Sequence, residues 1–255
     1  SVMIRDITSD GALITWSGDE NSDHWVIAYK TIEDEAWTTV DNLTDPAHLF
    51  TGLQSNVTYE AKVMKYCDPY NFSRWSNTVT FTTYCASVAD LPYSETFLYG
   101  GTRELPECWI KNATPYSRAD VYVTNTASNP NTLSFNAYED TYVAAVVPQF
   151  TVPINGLYAT FKMYVNSIGT DVKVGVMADP YDINSFELIE VITPSTRMVW
   201  EEYTVYFSNY SGTGRFITFI ADATDKTGEN DLFLDNLTID LLPECMFPFD
   251  IRVSD

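Results

Sequence analysis

Carboxylates are the most abundant reactive groups in this 255-residue chain: 35 Asp and Glu against 14 Lys and Arg, for a net charge of −21. Such groups do three kinds of work. They ligate Ca²⁺ through hard oxygens, they hydrolyse glycosidic bonds in facing pairs, and spread over a surface they keep a protein soluble. One of them, Glu95, stands out by its setting in "SETFLYGGTRELPECW" (Ser94–Trp109), where a strand-like piece breaks at Gly-Gly and closes on Pro-x-Cys-Trp. No acidic pair is marked by spacing for glycoside hydrolysis. No Gly-x-Ser-x-Gly occurs, and neither His24 nor His48 has the setting of a catalytic base. Cys67, Cys85, Cys108 and Cys245 form no Cys-x-x-Cys and lie far from either histidine. That spacing argues against zinc and for structural disulfides in an oxidising compartment. The shortage of cations argues against nucleic acid and anionic lipid as partners. No run of 18 apolar residues is present, so no helical membrane span is expected.

These groups must be held by strands. Tyr, Phe and Trp make up 15% of the chain, and with many Thr and Val residues this is strand composition. The opening "SVMIRDITSDG" has no charged-then-apolar leader pattern and already reads as a strand. The chain is therefore expected to begin inside a longer protein. "VMIRDI", "GALITWS", "HWVIAYK", "AWTTV", "AHLFTGL", "TYEAKVMKY" and "TVTFTTY" follow one another at about 8–12-residue intervals, which predicts an antiparallel sandwich over residues 1–84. "CASVADLPY" reads as a linker, placed at 85–92. Strands resume with "YSETFL", "TYVAAVVPQF", "LYATFKMYV", "DVKVGVMAD", "FELIEVI", "EEYTVYFSNY", "RFITFIAD" and "LFLDNLTIDL", while "ATPYSRADVYVTNTASNPNTLSF" reads as a long polar, turn-rich loop. No helical period persists. Eight strands over residues 93–243 suit a jelly roll of two face-to-face sheets. The expected fold class is all-β, one sandwich followed by another.

Two resemblances sharpen this reading. Trp16, Tyr29 and "GLQSNVTYEAKV" resemble a fibronectin type III domain, in which Leu53 and Tyr59 take the positions of the tyrosine-corner motif. Ser55 and Asn56 stand where that family commonly has Pro and Gly; Asn tolerates the left-handed backbone that Gly supplies. Trp16 and Trp25 are expected in the core. The stretch from "LPYSETF" through "LPECW", "YVAAVVPQF", "VGVMADPYDINSFELIEVI" and "WEEYTVYFSNYSGTGRFITFIA" to "LFLDNLTID" is similar to the MAM-like jelly rolls of secreted Bacteroidetes proteins, including the cleaved adhesin domains of gingipain-type proteins. The terminal "ECMFPFDIRVSD" (244–255) looks like the start of a further type III domain, which implies a repeat of roughly 250 residues.

The resemblance carries functional expectations. Jelly rolls commonly bring their opening and closing strands together, so Glu95 and Asp235 are expected to form a Ca²⁺ site. Leu98 departs from that family's usual Glu-Thr-Phe-Glu run. Tyr99, Tyr116, Tyr138 and Tyr181 fall in or beside loops, where jelly rolls often hold sugars. In a type III domain Cys67 would end one strand and Cys85 follow the next, roughly 25 Å apart, so they are not expected to pair. Cys85–Cys108 is the favoured disulfide, tying the linker to the second domain; Cys85–Cys245 is the rival. Asn42, Asn56, Asn71, Asn112, Asn209 and Asn236 begin Asn-x-Ser/Thr triplets, incidental in a bacterial protein. The whole is expected to be a non-catalytic adhesion or display module of a repetitive extracellular or cell-surface protein, with a glycan or protein ligand and neighbouring repeats as partners. A carbohydrate-binding accessory module of a secreted hydrolase or protease, and a structural stalk or filament repeat, are the alternatives.

Overall fold

The computed structural model describes residues 1–18, 24–68, 71–98, 103–116, 118–125, 130–226 and 228–243, with the side chains of 67, 68, 125 and 130 excluded. The chain is all-β, with several antiparallel sheets arranged as sandwiches, and divides into two compact units, Ser1–Ala86 and Ser87–Asp255.

In the first unit, β1 (Val2–Arg5), β2 (Gly11–Trp16) and β5 (Ala47–Thr51) make one sheet. The other is built from β3 (His24–Thr31), β4 (Thr38–Leu43), β6 (Thr58–Asp68), β7 (Asn71–Phe72) and β8 (Val79–Thr82), in the order β4-β3-β6 with β7 and β8 both paired to β6. β8 is the last strand expected from the sequence, and β7 is a further short strand on the same edge of β6. Between the two, Ser73 and Ser76 keep the edge satisfied: their hydroxyls accept from the Lys65 and Val63 N–H groups at 2.9 and 3.0 Å. Alternation along the strands delivers Ile14, Trp16, Trp25, Ile27, Phe50, Tyr59, Val63 and Phe81 to one core. Trp16 and Trp25 meet edge-to-face at 6.0 Å. Tyr59 forms the expected corner, its hydroxyl accepting from the Gln54 N–H at 2.9 Å, and Asn56 takes φ +56°.

The second unit is larger. One sheet has the order β10-β13-β18-β15-β16 and comprises β10 (Ile110–Ala113), β13 (Tyr142–Val146), β15 (Val172–Met177), β16 (Phe186–Ile192) and β18 (Phe216–Asp222). The other has the order β11-β12-β19-β14-β17 and comprises β11 (Asp120–Asn125), β12 (Pro130–Ala137), β14 (Leu157–Val165), β17 (Glu201–Tyr206) and β19 (Asn230–Leu241), with β9 (Tyr93–Glu95) also paired to β19. The facing sides pack Phe135, Phe161, Phe219, Leu157, Met163, Ile217 and Leu234 into one continuous core, consistent with the alternating burial along β14.

Two readings of the sequence need correcting here. The stretch taken for a long polar loop contains the β11–β12 hairpin, and β10 precedes it. Val121, Val123, Leu133 and Phe135 are buried on the inner side of that hairpin, while Asp120, Tyr122, Ser134 and Asn136 alternate with them. The period of two was present but diluted by Ser, Asn and Pro around it. Part of the expected linker is also bonded into the second unit: Val88 exchanges backbone hydrogen bonds with Gln149 and Thr151 at 2.8 and 3.0 Å. The expected start of a further domain at 244–255 lies outside the described residues.

Candidate functional site

Two places in the second unit collect polar groups in ways the core does not require. The first is the junction of β9 with β19. Register pairs Glu95 with Leu237 and Tyr93 with Ile239, so Glu95 points to the same side as these core residues, and it is buried. Its Oε1 accepts from the Phe97 N–H at 2.6 Å, and Phe97 itself adopts φ +55°. Asp235 pairs with Lys162, which lies between the core residues Phe161 and Met163; both therefore face outward. The reason the two carboxylates differ in facing is a bulge. Asn236 adopts φ +51°, and Asn236 and Leu237 together oppose Phe161 across the β14 pairing, slipping the alternation by one residue.

Glu95 and Asp235 are nonetheless electrostatically coupled. Burial raises the Asp235 pKa, its acceptance of the Asn236 N–H and the charge of Lys162 oppose that rise, and the Glu95 charge adds to it. Ca²⁺ would relieve both the desolvation and the repulsion. Two carboxylates on opposite sides of a sheet can share an ion only at an open edge, and one exists. β12 pairs with β19 as far as Leu133↔Leu234, and β9 takes up pairing at Leu237. Because β14 runs along the other edge of β19, β9 and β12 lie on the same side, with Asp235 and Asn236 between their ends. Among the described residues no group of three His, Cys, Asp or Glu side chains is placed to hold a metal, so the pair would need other oxygens. Leu98, at the departure from the family pattern, is 70% exposed.

The second place is an open cleft of about 550 Å³ lined by Tyr116, Arg118, Tyr138, Glu139, Asp140 and Glu229, among others. Its two tyrosines sit on separate turns. The β10–β11 turn is closed by the Ala119 N–H donating to the Tyr116 carbonyl at 3.1 Å. The β12–β13 turn is closed by Thr141, whose hydroxyl accepts from the Tyr138 N–H at 2.8 Å, with Asp140 at φ +61°. Thr114 fixes one turn against the other: its N–H donates to the Tyr142 carbonyl and its hydroxyl accepts the Tyr142 N–H, both at 3.1 Å. The tyrosine rings consequently come within 6.4 Å of each other. The Arg118 guanidinium lies 4.6 Å from the Tyr138 ring centre, a cation–π distance. Tyr116 is 49% exposed and Tyr138 half-buried.

Of the other sequence candidates, Tyr181 is exposed on the β15–β16 connection, where its N–H donates to Asp179 Oδ1 at 2.9 Å; it does not line this cleft. Tyr99 lies outside the described residues. Cys85 and Cys108 are both disulfide-bonded, while the Cys67 side chain and Cys245 lie outside the described residues. Arg118, Glu139, Asp140 and Glu229 were missed in the sequence; the one signal available for the first three was adjacency to Tyr116 or Tyr138. The two histidines are occupied in packing. His24 stacks on Tyr66 at 4.8 Å and His48 meets Phe50 edge-on at 5.0 Å, and burial lowers the His48 pKa.

No family model matches the chain, and no curated protein does. Solved structures do. The fibronectin type III domain of human contactin 1 is 18% identical, covering 34% of this chain and 76% of that one, with TM-score 0.31. The type III domain of the human collagen alpha-1(XX) chain is 17% identical over 35% of this chain and 86% of that one, with TM-score 0.31. The K2 cleaved adhesin domain of Lys-gingipain is 16% identical over 58% of this chain and 99% of that one, with TM-score 0.40.

Proposed function

We propose that this chain is a non-catalytic adhesion or display module of an extracellular protein, and that its second unit recognises a glycan in the Tyr116–Tyr138 cleft. One observation carries the glycan reading: two tyrosines 22 positions apart in the sequence converge on one open cleft, beside groups that can exchange hydrogen bonds with sugar hydroxyls. Aromatic faces supply rigid contact area at low entropic cost. Arg118 donates only, and Glu139, Asp140 and Glu229 accept only when ionised. With three carboxylates around one guanidinium, the cleft favours neutral or amino-bearing sugars over acidic ones. The non-catalytic reading is supported by both histidines being engaged with aromatic rings. We further propose Ca²⁺ between Glu95 and Asp235 as a structural ion at the open edge of β19.

A glycan array probed with the full chain, followed by calorimetry on the best neutral or amino-bearing hit, tests the glycan reading. Tyr116→Ala and Tyr138→Ala should each weaken binding at least tenfold while leaving the fold intact by circular dichroism. Silence of the array, or retention of full affinity by both variants, would reject it.

A further inference from the structure

The connection between β18 and β19 joins a lysine, an asparagine and an aspartate in one hydrogen-bonded triangle. Asn230 opens β19, opposite Ala137 of β12, and is fully buried. Asp171 immediately precedes β15. Lys226 lies four positions before Asn230, and its N–H donates to the Ala223 carbonyl at 3.2 Å, which closes a turn. The lysine Nζ donates to Asn230 Oδ1 at 3.2 Å, to the Gly169 carbonyl at 3.3 Å and to Asp171 Oδ1. Asn230 Nδ2 donates to that same Asp171 oxygen at 3.3 Å, and to the Asp171 and Asp222 carbonyls, both at 3.1 Å. The Asp171 N–H donates to Asn230 Oδ1 at 3.2 Å.

These are the parts of an acyl transfer. The lysine amine is a nucleophile once it sheds a proton. One carboxylate oxygen touches both that amine and the amide nitrogen that would leave, so it can take a proton from the first and give one to the second. The Asp171 N–H is aimed at the oxygen on which charge would develop. The pair is largely withdrawn from water, with side-chain exposures of 30% for Lys226 and 22% for Asp171.

We propose that Lys226 and Asn230 condense into an intramolecular isopeptide bond, with Asp171 as the proton shuttle. The Lys226 ammonium passes one proton to Asp171 Oδ1. The freed lone pair attacks Asn230 Cγ, and the carbonyl pair moves onto Oδ1 beside the Asp171 N–H. Asp171 returns its proton to Nδ2, and the Cγ–Nδ2 bond breaks as the carbonyl re-forms. The new linkage nitrogen sheds its extra proton through Asp171 to the departing ammonia, which leaves as ammonium. Nothing is oxidised or reduced, and no co-reactant is consumed. The event happens once within the chain and is independent of the glycan and Ca²⁺ readings.

Mass spectrometry of the reduced, denatured full chain tests it. Wild type should weigh less than its sequence by one ammonia. Trypsin should fail after Lys226 and release residues 216–252 as one piece, lacking the same ammonia and giving no backbone fragments between 226 and 230. Lys226→Arg keeps the charge, but its guanidinium stays protonated; it should show the full sequence mass. Asp171→Asn, checked for its fold by circular dichroism, should do the same. A wild type of full mass, cut normally after Lys226, would overturn the bond whether or not the variants fold. An ammonia deficit with normal cleavage after Lys226 would place the loss at another residue and overturn it equally. A crosslink that persists in Asp171→Asn would overturn the shuttle role.

Discussion

Replacing Asp231 by Asn should stabilise the second unit at neutral pH, with a gain that fades as pH falls from about 6 to about 4. Asp231 lies on β19 opposite Asn136 of β12. Its pKa is raised from 3.8 to about 6, chiefly by burial and further by the Glu229 charge, while a hydrogen bond from Asn136 holds it down in part. Its Oδ1 is sealed and unpartnered. A carboxyl that binds its proton more tightly folded than unfolded adds stability below the unfolded pKa, and that contribution is lost as pH rises through the folded one. The loss therefore falls between about pH 4 and pH 6 and is constant above. A rise of about two pH units corresponds to roughly 3 kcal/mol at about 1.4 kcal/mol each. The side chain is partly open to water, so screening reduces this to about 1 to 1.5 kcal/mol. For a unit of this size that is roughly 2 to 6 °C in melting temperature. Scanning calorimetry of wild type and Asp231→Asn from pH 4 to 8 measures it. A difference that does not change with pH, or a variant less stable than wild type at pH 7, would refute the electrostatic account.

Further consequences follow from packing and covalent chemistry. Gly175 is an interior strand glycine whose added Cβ would meet the Glu187 carbonyl oxygen and the Phe186 ring; Gly175→Ala should cost about 1 to 3 kcal/mol through overpacking, and a melting temperature equal to wild type would contradict that. The disulfides of Cys85 and Cys108 are proposed to be one bond between them. A non-reduced digest should yield a single peptide pair joining these two, and a peptide joining Cys85 to Cys245 instead would replace that pairing with its rival.

The sequence announced most of the strands because alternation is a direct consequence of a sheet with one buried side. Trp16 and Trp25 took the core places expected of large aromatics, and Tyr59 the corner that the type III resemblance implied. The β11–β12 hairpin escaped because polar residues fill most of its outward positions and its ends, and the large apolar residues Val121, Val123, Leu133 and Phe135 were too sparse to stand out. Residues of the candidate sites were visible in part. That β9 neighbours β19 follows from jelly-roll topology, yet the side each carboxylate faces depends on one left-handed residue, Asn236, and nothing in "LDNLTID" distinguishes a bulge from a regular strand. Tyr116 and Tyr138 were visible as loop aromatics, but their convergence rests on bonds from the Thr114 backbone and hydroxyl to the Tyr142 backbone, a pairing that spacing along the chain does not announce.

The placement of the two sites on one strand predicts how they interact. Leu133, where the β12–β19 pairing stops at the gap, lies near the start of β12 and Tyr138 immediately follows its end. Five residues of extended chain separate them by about 17 Å, too far for an ion at the gap to touch a sugar in the cleft. Direct coordination of sugar hydroxyls by that ion is therefore excluded by length, and β12, paired on both edges by β11 and β19, has little freedom to transmit a local change. Coupling between two sites requires that each ligand prefer a different state of something they share, and a strand locked in mid-sheet offers few states. Ca²⁺ should thus raise the melting temperature of the second unit while changing glycan affinity by less than twofold. Titrating the array hit in chelator and in saturating Ca²⁺ measures this, and a tenfold Ca²⁺-dependent gain in affinity would show that the cleft and the gap are mechanically connected after all.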